Sequence, residues 1–304
     1  MTELINGFLN LSKPAGLTSH DCVARVRRLL HIKRVGHGGT LDPAATGVLP
    51  IALGRATRLL QFLQPNKAYR ATVRFGLRTT TDDLDGDILN QQPVPHLSLE
   101  AIAPHLPQFQ GIIQQVPPSY SAVQVKGKRL YQLARSGEEV EVPVRTVEVH
   151  HIDVLDWRAG DYPELDVAIA CGSGTYIRSI ARDLGDVLGT GATLAMLIRT
   201  ESSGFFLDTS LTLDQLGQQV EGGDFTPIAP AAALQHLPEV VLSPPQVKYW
   251  CNGRSLFLKP GSVNCSFDTV VRVQDSQGEF LGVADYVEER GKSKLVPKMV
   301  FTPA

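Results

Sequence analysis

Residues 36–50 read GHGGTLDPAATGVLP, a segment in which Gly, Thr and Pro are too frequent for a regular helix or strand. This composition predicts a structured loop. Asp42 is its only acidic or basic residue apart from a histidine, His37, which lies five residues before it. Two interpretations of Asp42 stay open. It is either an Asp-Pro turn residue that caps a helix, or a lone carboxylate that a shaped loop presents for covalent or electrostatic catalysis at a sugar carbon.

Regular hydrophobic periodicity is visible on both sides of this loop. A helix is predicted at about 19–31, with Thr18 or Ser19 as its N-cap and Val23 and Val26 on its buried face. After the loop, the pattern predicts a short helix at 52–63, a strand at Tyr69–Leu77, a turn-rich connection at 79–89, a turn and short helix at 124–137 ending at Gly137, strands at 144–157 and 164–172, and an amphipathic helix at 174–189 with Ile177, Ile180, Ala181 and Leu184 facing inward.

The C-terminal part has a different pattern. A segment rich in Pro and Ala ends near Pro238 and predicts a domain boundary, so that the domains are 1–237 and 238–304. Short strands at Val271–Val273, Phe280–Tyr286 and Lys294–Phe301, joined by turns that contain Gly, predict a small β-barrel.

The composition is that of a folded protein without membrane spans. Of 304 residues, 43% are hydrophobic and 20% charged, and no apolar run approaches the ~18 residues of a transmembrane helix. The N-terminus lacks the pattern of a signal peptide, and the four cysteines are scattered singly. These features predict a cytoplasmic protein, and without a C-x-x-C or H-E-x-x-H motif no metal site is predicted.

Charge is distributed unevenly along the chain. The net charge is −2, yet residues 1–81 hold twelve Lys and Arg against three Asp and Glu, a net charge of +9. Such asymmetry indicates either a polyanionic partner or a solvated cationic face. If the partner is a nucleic acid, this segment is expected to contact its phosphates and to give salt-sensitive affinity.

Two further motifs fail as nucleotide or ion sites. In DDLDGD, 82–87, no register supplies both the Gly and the closing Glu of a calcium loop, so an acidic turn is predicted. CGSGTYIR, 171–178, lacks the third small residue of a dinucleotide-binding loop. It does place Tyr176 and Arg178 at the start of a helix, where Arg178 is either a site residue or a surface arginine paired with Asp183 or Asp186.

Five blocks of the sequence carry further information when they are taken together. They are GFLNLSKPAGLTSHD, GHGGTLDPAATGVLPIALGRATR, KAYRATVRFGLRTTTDDLDGD, VPPSYSAVQVKGKRLYQLAR and CGSGTYIRSIARDLGDVLGTGATLAMLIRT. These blocks resemble the bacterial tRNA pseudouridine synthase B family and occur in the family's order over residues 7–205, with a weaker match beyond. The resemblance implies an α/β (α+β) fold, with a mixed, largely antiparallel sheet in the catalytic domain and a PUA-like, RNA-binding C-terminal β-barrel.

The resemblance also implies a reaction. An isomerase of this family breaks the glycosidic bond of uridine 55 in the TΨC loop of tRNA, rotates the uracil and rejoins it through C5. It acts as a monomer on the T stem-loop, without cofactor, metal, membrane or guide RNA. Whether the aspartate attacks the sugar, attacks the base or transfers a proton stays open.

Site residues follow from the same match. An arginine beside the aspartate is expected to keep that carboxyl ionised, and everting the nucleotide costs a few kcal/mol that aromatic stacking partly returns. The implied roles are the catalytic aspartate for Asp42, stacking on the target base for Tyr69, flanking of the base for Tyr176 and Leu197, pairing with the aspartate for Arg178, and contact with the nucleic acid for His37.

Three other functions stay open beside this one. The chain could be a tRNA-binding or tRNA-folding protein that kept the scaffold without catalysis, although Asp42, Tyr69 and Arg178 together argue against it. It could be a synthase that depends on a guide RNA within a multiprotein particle. It could also be a nucleoside hydrolase, which would release free uracil.

Overall fold

The structure, a computed structural model, describes residues 5–121, 124–125, 128–129, 142–259 and 263–302. The described helices are α1 Ser19–Leu29, α2 Leu99–Ile102, α3 Ile177–Val187, α4 Leu213–Gly222, α5 Pro230–Ala233 and α6 Pro244–Cys251, with 3₁₀ helices at Gly54–Phe62, Ala103–Phe109 and Leu207–Thr209. The described strands are β1 Gly7–Lys13, β2 Val35–His37, β3 Thr46–Leu53, β4 Lys67–Phe75, β5 Leu77–Thr79, β6 Ile88–Gln91, β7 Gly111–Gln115, β8 Gln124–Val125, β9 Lys128–Arg129, β10 Arg145–Arg158, β11 Glu164–Cys171, β12 Ala192–Ser202, β13 Phe205–Phe206, β14 Glu239–Leu242, β15 Leu256–Phe257, β16 Thr269–Asp275, β17 Phe280–Glu289 and β18 Lys292–Val300.

A nine-stranded sheet forms the framework of the larger part of the molecule. Its order is β1-β3-β12-β4-β11-β10-β7, with β2 paired to β3 and β13 to β12. Neighbours are antiparallel except β3 and β12, which run parallel. The expected α/β fold with a mixed, largely antiparallel sheet is therefore confirmed.

The first helix begins as its sequence predicts. Thr18 is the N-cap: its hydroxyl accepts from the Asp21 amide, and the Asp21 carboxylate accepts from the Thr18 amide. This reciprocal capping box satisfies two amides that the helix itself leaves unbonded. Val23 and Val26 are buried against the first strands of the sheet, so α1 is fixed at both its end and its inner face.

The prediction of a loop over all of 36–50 is wrong at both ends. Strand β2 ends at His37, and β3 begins at Thr46, so the true loop is 38–45. Gly47 in β3 has φ +101°, and a Cβ atom there would lie 2.2 Å from the backbone oxygen of Arg199 on β12. Glycine is present here because the two parallel strands approach too closely for a side chain, and it is not a sign of a loop.

Other differences concern element type and bounds. The short helix predicted at 52–63 is a 3₁₀ helix that starts at Gly54, after the end of β3. The turn-rich connection predicted at 79–89, with its acidic turn at 82–87, joins an antiparallel pair, β5 and β6. Leu77 belongs to β5, not to the strand of Tyr69. Most of the turn and helix predicted at 124–137 lies outside the described residues.

The predicted C-terminal strands are present in a second sheet. Its order is β14-β16-β17-β18-β15, and it encloses its own apolar cluster around Trp250, Val271 and Leu295. The described pairings give an open path of five strands, so closure into a barrel stays a prediction. Among the described residues, no helix has the length and apolarity needed to cross a bilayer.

The basic excess of residues 1–81 is partly neutralised in three dimensions. Arg70, Arg74 and Arg78 pair with Asp166, Glu164 and Asp186, and Lys13 is completely buried. The expectation that the whole segment faces phosphates is therefore too broad. The exposed basic residues of this segment that make no ion pair within the described part of the chain include Arg25, Arg27 and Arg28 on α1, and Lys33.

Candidate active site

Apolar anchors fix the loop that carries Asp42. Leu41 on one side and Ala45 on the other are buried in the main core cluster, with 4% and 3% of their surface exposed. Burying both flanks leaves Asp42 to project from the loop between them, because the chain can turn away from the core only over these few residues. The alternative that Asp42 caps a helix is not supported, since the chain continues into β3.

Polar anchors hold the backbone of the same loop. Ser19, at the start of α1, exchanges hydrogen bonds with both backbone groups of Leu41. The Lys13 ammonium donates to the carbonyl oxygens of Pro14, Leu17 and Pro43 at 2.7–3.0 Å. Lys13 thereby joins Pro43, the residue after Asp42, to β1. Because its ammonium is buried and bonded to these carbonyls, Lys13 is not one of the cations that face a phosphate.

Arg199 of β12 also supports the backbone of this loop. It is fully buried, and its guanidinium donates to the carbonyl oxygens of Val48, Thr40 and Gly39 at 2.7, 3.3 and 3.1 Å. A buried guanidinium that donates hydrogen bonds to three backbone carbonyls fixes the relative positions of those carbonyls. Arg199 therefore connects both ends of the Asp42 loop to the centre of the sheet.

A cavity of about 210 Å³ opens beside this loop. It lies where the loop, strands β4 and β12 and the start of α3 meet. Its lining comprises Thr40, Leu41, Asp42, Lys67, Tyr69, Ser121, Gly174, Thr175, Tyr176, Ile177, Arg178 and Leu197. Five of the six residues singled out from the sequence are in this set, although they are spread over more than 150 positions of the chain.

The Arg178 guanidinium lies between two carboxylates. Its Nη2 is 2.9 Å from Asp42 Oδ2, and its Nη1 is 3.4 Å from Asp83 Oδ2. The same nitrogens donate to the carbonyl oxygens of Thr81 and Tyr120 at 2.9 and 3.1 Å. Arg178 is buried to 4% exposure, so its orientation is determined from several directions and it presents a fixed charge to Asp42.

Two opposing effects act on the protonation of Asp42. Burial raises the pKa of Asp42; Arg178 opposes this rise and the Asp83 carboxylate adds to it. The charge of Arg178 does not outweigh the loss of hydration, although 38% of the side chain remains exposed. Arg178 thus favours the ionised carboxylate, as the sequence leads us to expect, but the pKa of Asp42 still lies above that of an ordinary aspartate.

Aromatic and aliphatic groups form the other walls. Tyr69 on β4 is buried, which raises the pKa of its phenol and keeps it neutral. Leu197 projects from the neighbouring strand β12. Tyr176 precedes α3, where the Gln115 side-chain amide bonds its backbone N–H and carbonyl at 2.8 and 3.0 Å. The cavity thus combines flat apolar surfaces with one carboxylate, which suits a planar ring next to a reacting carbon.

His37 is the one predicted site residue outside this lining. It ends β2, its Nδ1 accepts from the Gly39 amide at 3.3 Å, and its ring lies 5.6 Å from that of His20. Burial lowers the pKa of His37 and the nearby His20 lowers it further, so the ring is uncharged at neutral pH. His37 lies beside the Asp42 loop and not in the cavity.

Three residues of the site were missed in the sequence. Asp83 lies in what was interpreted as a plain acidic turn, Arg199 lies at the end of a quoted block for which no strand was predicted, and Lys67 looked like one of many cations. Lys67 and Arg199 each carried a usable signal, because residues i and i+2 of a strand share a face and Tyr69 and Leu197 were already candidates. The alternative of a surface Arg178 is wrong: Asp183 pairs with Arg182, and Asp186 with Arg78.

No cluster of three or more His, Cys, Asp or Glu side chains suited to a metal ion occurs in the described part of the chain. The arrangement that is present consists of an aspartate, an arginine and aromatic groups around a cavity. Such an arrangement offers flat surfaces for a planar ring and a carboxylate that can accept or donate a proton or attack as a nucleophile.

Comparison with solved structures first shows which known proteins share the fold of this chain. The fold is similar to that of a chain in the "archaeal box H/ACA sRNP Nop10-Cbf5 complex", with a TM-score of 0.73 and 28% identity over 99% of this chain and 88% of that chain. It is also similar to a chain of an "H/ACA RNP bound to a substrate RNA containing 2'-deoxyuridine", with a TM-score of 0.74 and 26% identity over 98% and 85%.

Sequence comparison then gives the family. Residues 27–177 match "TruB family pseudouridylate synthase (N terminal domain)", 178–234 match "tRNA pseudouridylate synthase B C-terminal domain", and 238–301 match "Pseudouridine synthase II TruB, C-terminal". Proteins named tRNA pseudouridine synthase B are 59% identical in Trichormus variabilis, over 98% of this chain and 99% of that protein, and 54% identical in Gloeobacter violaceus, over 92% and 94%. The chain belongs to the TruB family of pseudouridylate synthases.

Proposed function

We propose that this protein is a tRNA pseudouridine synthase that isomerises uridine 55 in the T stem-loop. The observation that carries the proposal is the single cavity in which Asp42, Tyr69, Tyr176, Arg178 and Leu197 meet, with Asp42 2.9 Å from Arg178. Relatives of nearly equal length named tRNA pseudouridine synthase B support tRNA as the substrate. The reaction is an isomerisation, so it needs no net oxidant or cofactor.

In this proposal each group acts on an everted uridine. A base inside a folded loop is inaccessible, so the nucleotide must leave the stack before it reaches a cavity bounded by α3 and the sheet. Tyr69 packs on one face of the uracil, with Tyr176 and Leu197 around it, and Asp42 acts at the glycosidic bond or at the base. Arg178 holds Asp42 in place, and His37 contacts the RNA outside the cavity.

The raised Asp42 pKa bears on the chemistry. An attacking carboxylate must be ionised, and a poorly hydrated carboxylate is a stronger nucleophile and base than a hydrated one. Arg178 compensates the charge that such an Asp42 carries. Attack on the sugar, attack on the base and proton transfer all stay open for this group.

The test of the proposal is the variant Asp42→Asn. We expect loss of pseudouridine formation in a tRNA transcript of at least about a thousandfold, because the group that acts on the nucleotide is gone, and little change in tRNA affinity. The matched control is Asp85→Asn, an exposed carboxylate near Asp83 that does not line the cavity. Turnover by Asp42→Asn at the control rate would refute the assignment.

The same assay separates the other functions. Pseudouridine made by the purified chain on a bare T stem-loop argues against dependence on a guide RNA. Free uracil in the product chromatogram would indicate a nucleoside hydrolase. Binding of tRNA by the unaltered protein without any product would indicate a tRNA-binding or tRNA-folding role.

We also propose the division into a catalytic domain, 1–237, and an RNA-binding domain, 238–304, that contacts tRNA away from the reacting base. A separate apolar cluster within the second sheet supports the division, as does the separate family match of 238–301. The protein is proposed to act in the cytoplasm as a monomer.

A further inference from the structure

The charged groups in and around the cavity are not all paired. Arg178, in the lining, lies between the carboxylates of Asp42 and Asp83. Lys67 on β4 also lines the cavity, whereas Arg199 on β12 is buried outside the lining; both cations lie beside Gly39. Neither of these two cations forms an ion pair with a carboxylate in the described part of the chain.

Lys67 is the less satisfied of the two. The Arg199 guanidinium donates hydrogen bonds to three backbone carbonyls. The Lys67 ammonium, in contrast, has no hydrogen-bond acceptor among the described residues. Its Nζ lies close to Gly39, 3.5 Å from the position that a Cβ atom would occupy there. Lys67 is two residues before Tyr69 on the same strand, so both side chains project from the face of the sheet that lines the cavity.

A half-buried ammonium without a partner is costly. Burial lowers the pKa of Lys67, and the neighbouring Arg199 lowers it further. Lys67 and Arg199 repel each other, and an anion that enters the cavity beside Lys67 offsets both this repulsion and the lost hydration of the ammonium. The pocket therefore has the charge pattern of a site that is completed by an anionic ligand.

We propose that Lys67 binds a backbone phosphate of the everted nucleotide and so fixes the sugar against Asp42. This inference rests on the proposed function, because it takes an RNA as the ligand. A phosphodiester is the anion that accompanies every nucleotide into the cavity, and an ammonium binds it as a point charge. With the base held by Tyr69 and the phosphate by Lys67, the glycosidic bond between them is held at two points.

The proposal is tested with T stem-loop RNAs that carry one neutral methylphosphonate linkage, placed either 5′ or 3′ of the target uridine. For the unaltered protein, we expect one of the two linkages to weaken binding or slow single-turnover formation of pseudouridine about tenfold, the effect of one lost hydrogen bond to a charged group. With ordinary RNA, the Lys67→Gln variant should show the same tenfold loss of binding or rate. Replacing the RNA with the one that carries the neutral linkage should cause no further loss in this variant. Lys67→Arg should recover part of it.

Arg70→Gln is the matched control. Arg70 lies on the same strand but is exposed on the other face, where it pairs with Asp166, so the neutral linkage should still cost this variant the full factor. Equal sensitivity of Lys67→Gln and the unaltered protein to both linkages would overturn the proposal, as would an unchanged rate in Lys67→Gln. If the RNA bound but no pseudouridine formed in any protein, the proposed function would fail, while the affinities would still decide whether Lys67 meets a phosphate.

Discussion

At the scale of single residues, the site depends on charges that are balanced in pairs. Asp42 is held by Arg178, and Arg178 is held in turn by Asp83 and by two backbone carbonyls. Asp83 has two opposite effects on Asp42. It keeps the arginine in place, and its own negative charge adds to the rise of the Asp42 pKa.

Removal of Asp83 should separate these effects. A carboxylate whose pKa is raised is lost as the pH falls through that pKa, so a reaction that needs ionised Asp42 slows on the acid side. We expect Asp83→Asn to slow the reaction about tenfold or more at its optimum, because Arg178 loses an anchor, and to move the acid limb to lower pH, because a repelling charge is gone. Single-turnover rates measured over a range of pH give both the change in rate and the shift of the acid-side decline. A shift of that decline to higher pH would contradict this account of Asp42.

Lys13 provides a second prediction at this scale. Its ammonium, completely buried, satisfies three carbonyl oxygens beside Asp42. Lys13→Met removes this donor from the carbonyls of Pro14 and Leu17 and leaves the Pro43 oxygen with the Gly16 amide alone. We therefore expect a loss of about 2 kcal/mol in the free energy of unfolding together with a slower reaction. Urea denaturation measures the first, and Lys33→Met, at an exposed lysine, should change stability by less than about 0.5 kcal/mol. Equal midpoints for the two variants would show that Lys13 is not an anchor.

At the scale of elements, the site depends on the parallel contact of β3 and β12. Gly47 pairs with Arg199 in register, and a methyl group at Gly47 would collide with the backbone of β12. We expect Gly47→Ala to destabilise the protein by about 2 kcal/mol or more, since it adds a clash to an unfavourable φ, and to reduce the rate by displacing the Asp42 loop. Gly16→Ala is the control: φ there is +80° and no atom lies near the added Cβ, so only the backbone cost of about 1 kcal/mol applies. Similar losses in thermal unfolding for both would argue against a tight strand contact.

This same contact shows what the sequence could and could not predict. The inner face of α3, the capped start of α1 and the strands around Tyr69 and Leu165 follow from local periodicity, and all are present, with the strand of Tyr69 shifted to 67–75. Strand β3 was missed because its glycine is dictated by a neighbour about 150 residues away in the chain. A requirement that comes from the packing of distant segments leaves no local pattern to recognise.

The site was predictable to the extent that its residues lie in motifs. Asp42 and Arg178 stood out through their loops, whereas Asp83 and Arg199 matter only through partners far along the chain. The direction of the Asp42 pKa could not be predicted either, because the balance between burial and the Arg178 charge depends on the depth of the cavity.

At the scale of the whole molecule, two sheets share an apolar boundary. Phe8, Val48 and Ala52 of the large sheet pack with Phe280, Val283 and Met299 of the smaller one, and Arg55 donates to the Phe301 carbonyl at 3.0 Å. The proposed C-terminal domain therefore covers apolar surface of the strand that follows the Asp42 loop. Its contribution to RNA binding has to be tested by substitution at its surface, because removing it would expose that cluster.

Electrostatic docking of a large RNA also belongs to this scale. The exposed arginines of α1 make no ion pair within the described residues, and the first residue of that helix bonds the Asp42 loop. Lys67 lines the cavity itself, so these arginines are the exposed, unpaired cations that α1 adds on an element joined to the Asp42 loop. Arg74 and Arg78, equally basic in the sequence, are paired with Glu164 and Asp186.

This contrast gives a matched pair of variants. Each phosphate contact that is lost lowers the slope of log affinity against log salt by about 0.7 to 0.9. We expect the double variant Arg27→Gln/Arg28→Gln to bind tRNA more weakly at low salt and with a clearly flatter slope. The double variant Arg74→Gln/Arg78→Gln should leave the slope nearly unchanged, because these two arginines are already paired with carboxylates. Equilibrium binding at several salt concentrations decides between them, and equal slopes for the two doubles would mean that α1 is not the docking face, whatever the chemistry at Asp42.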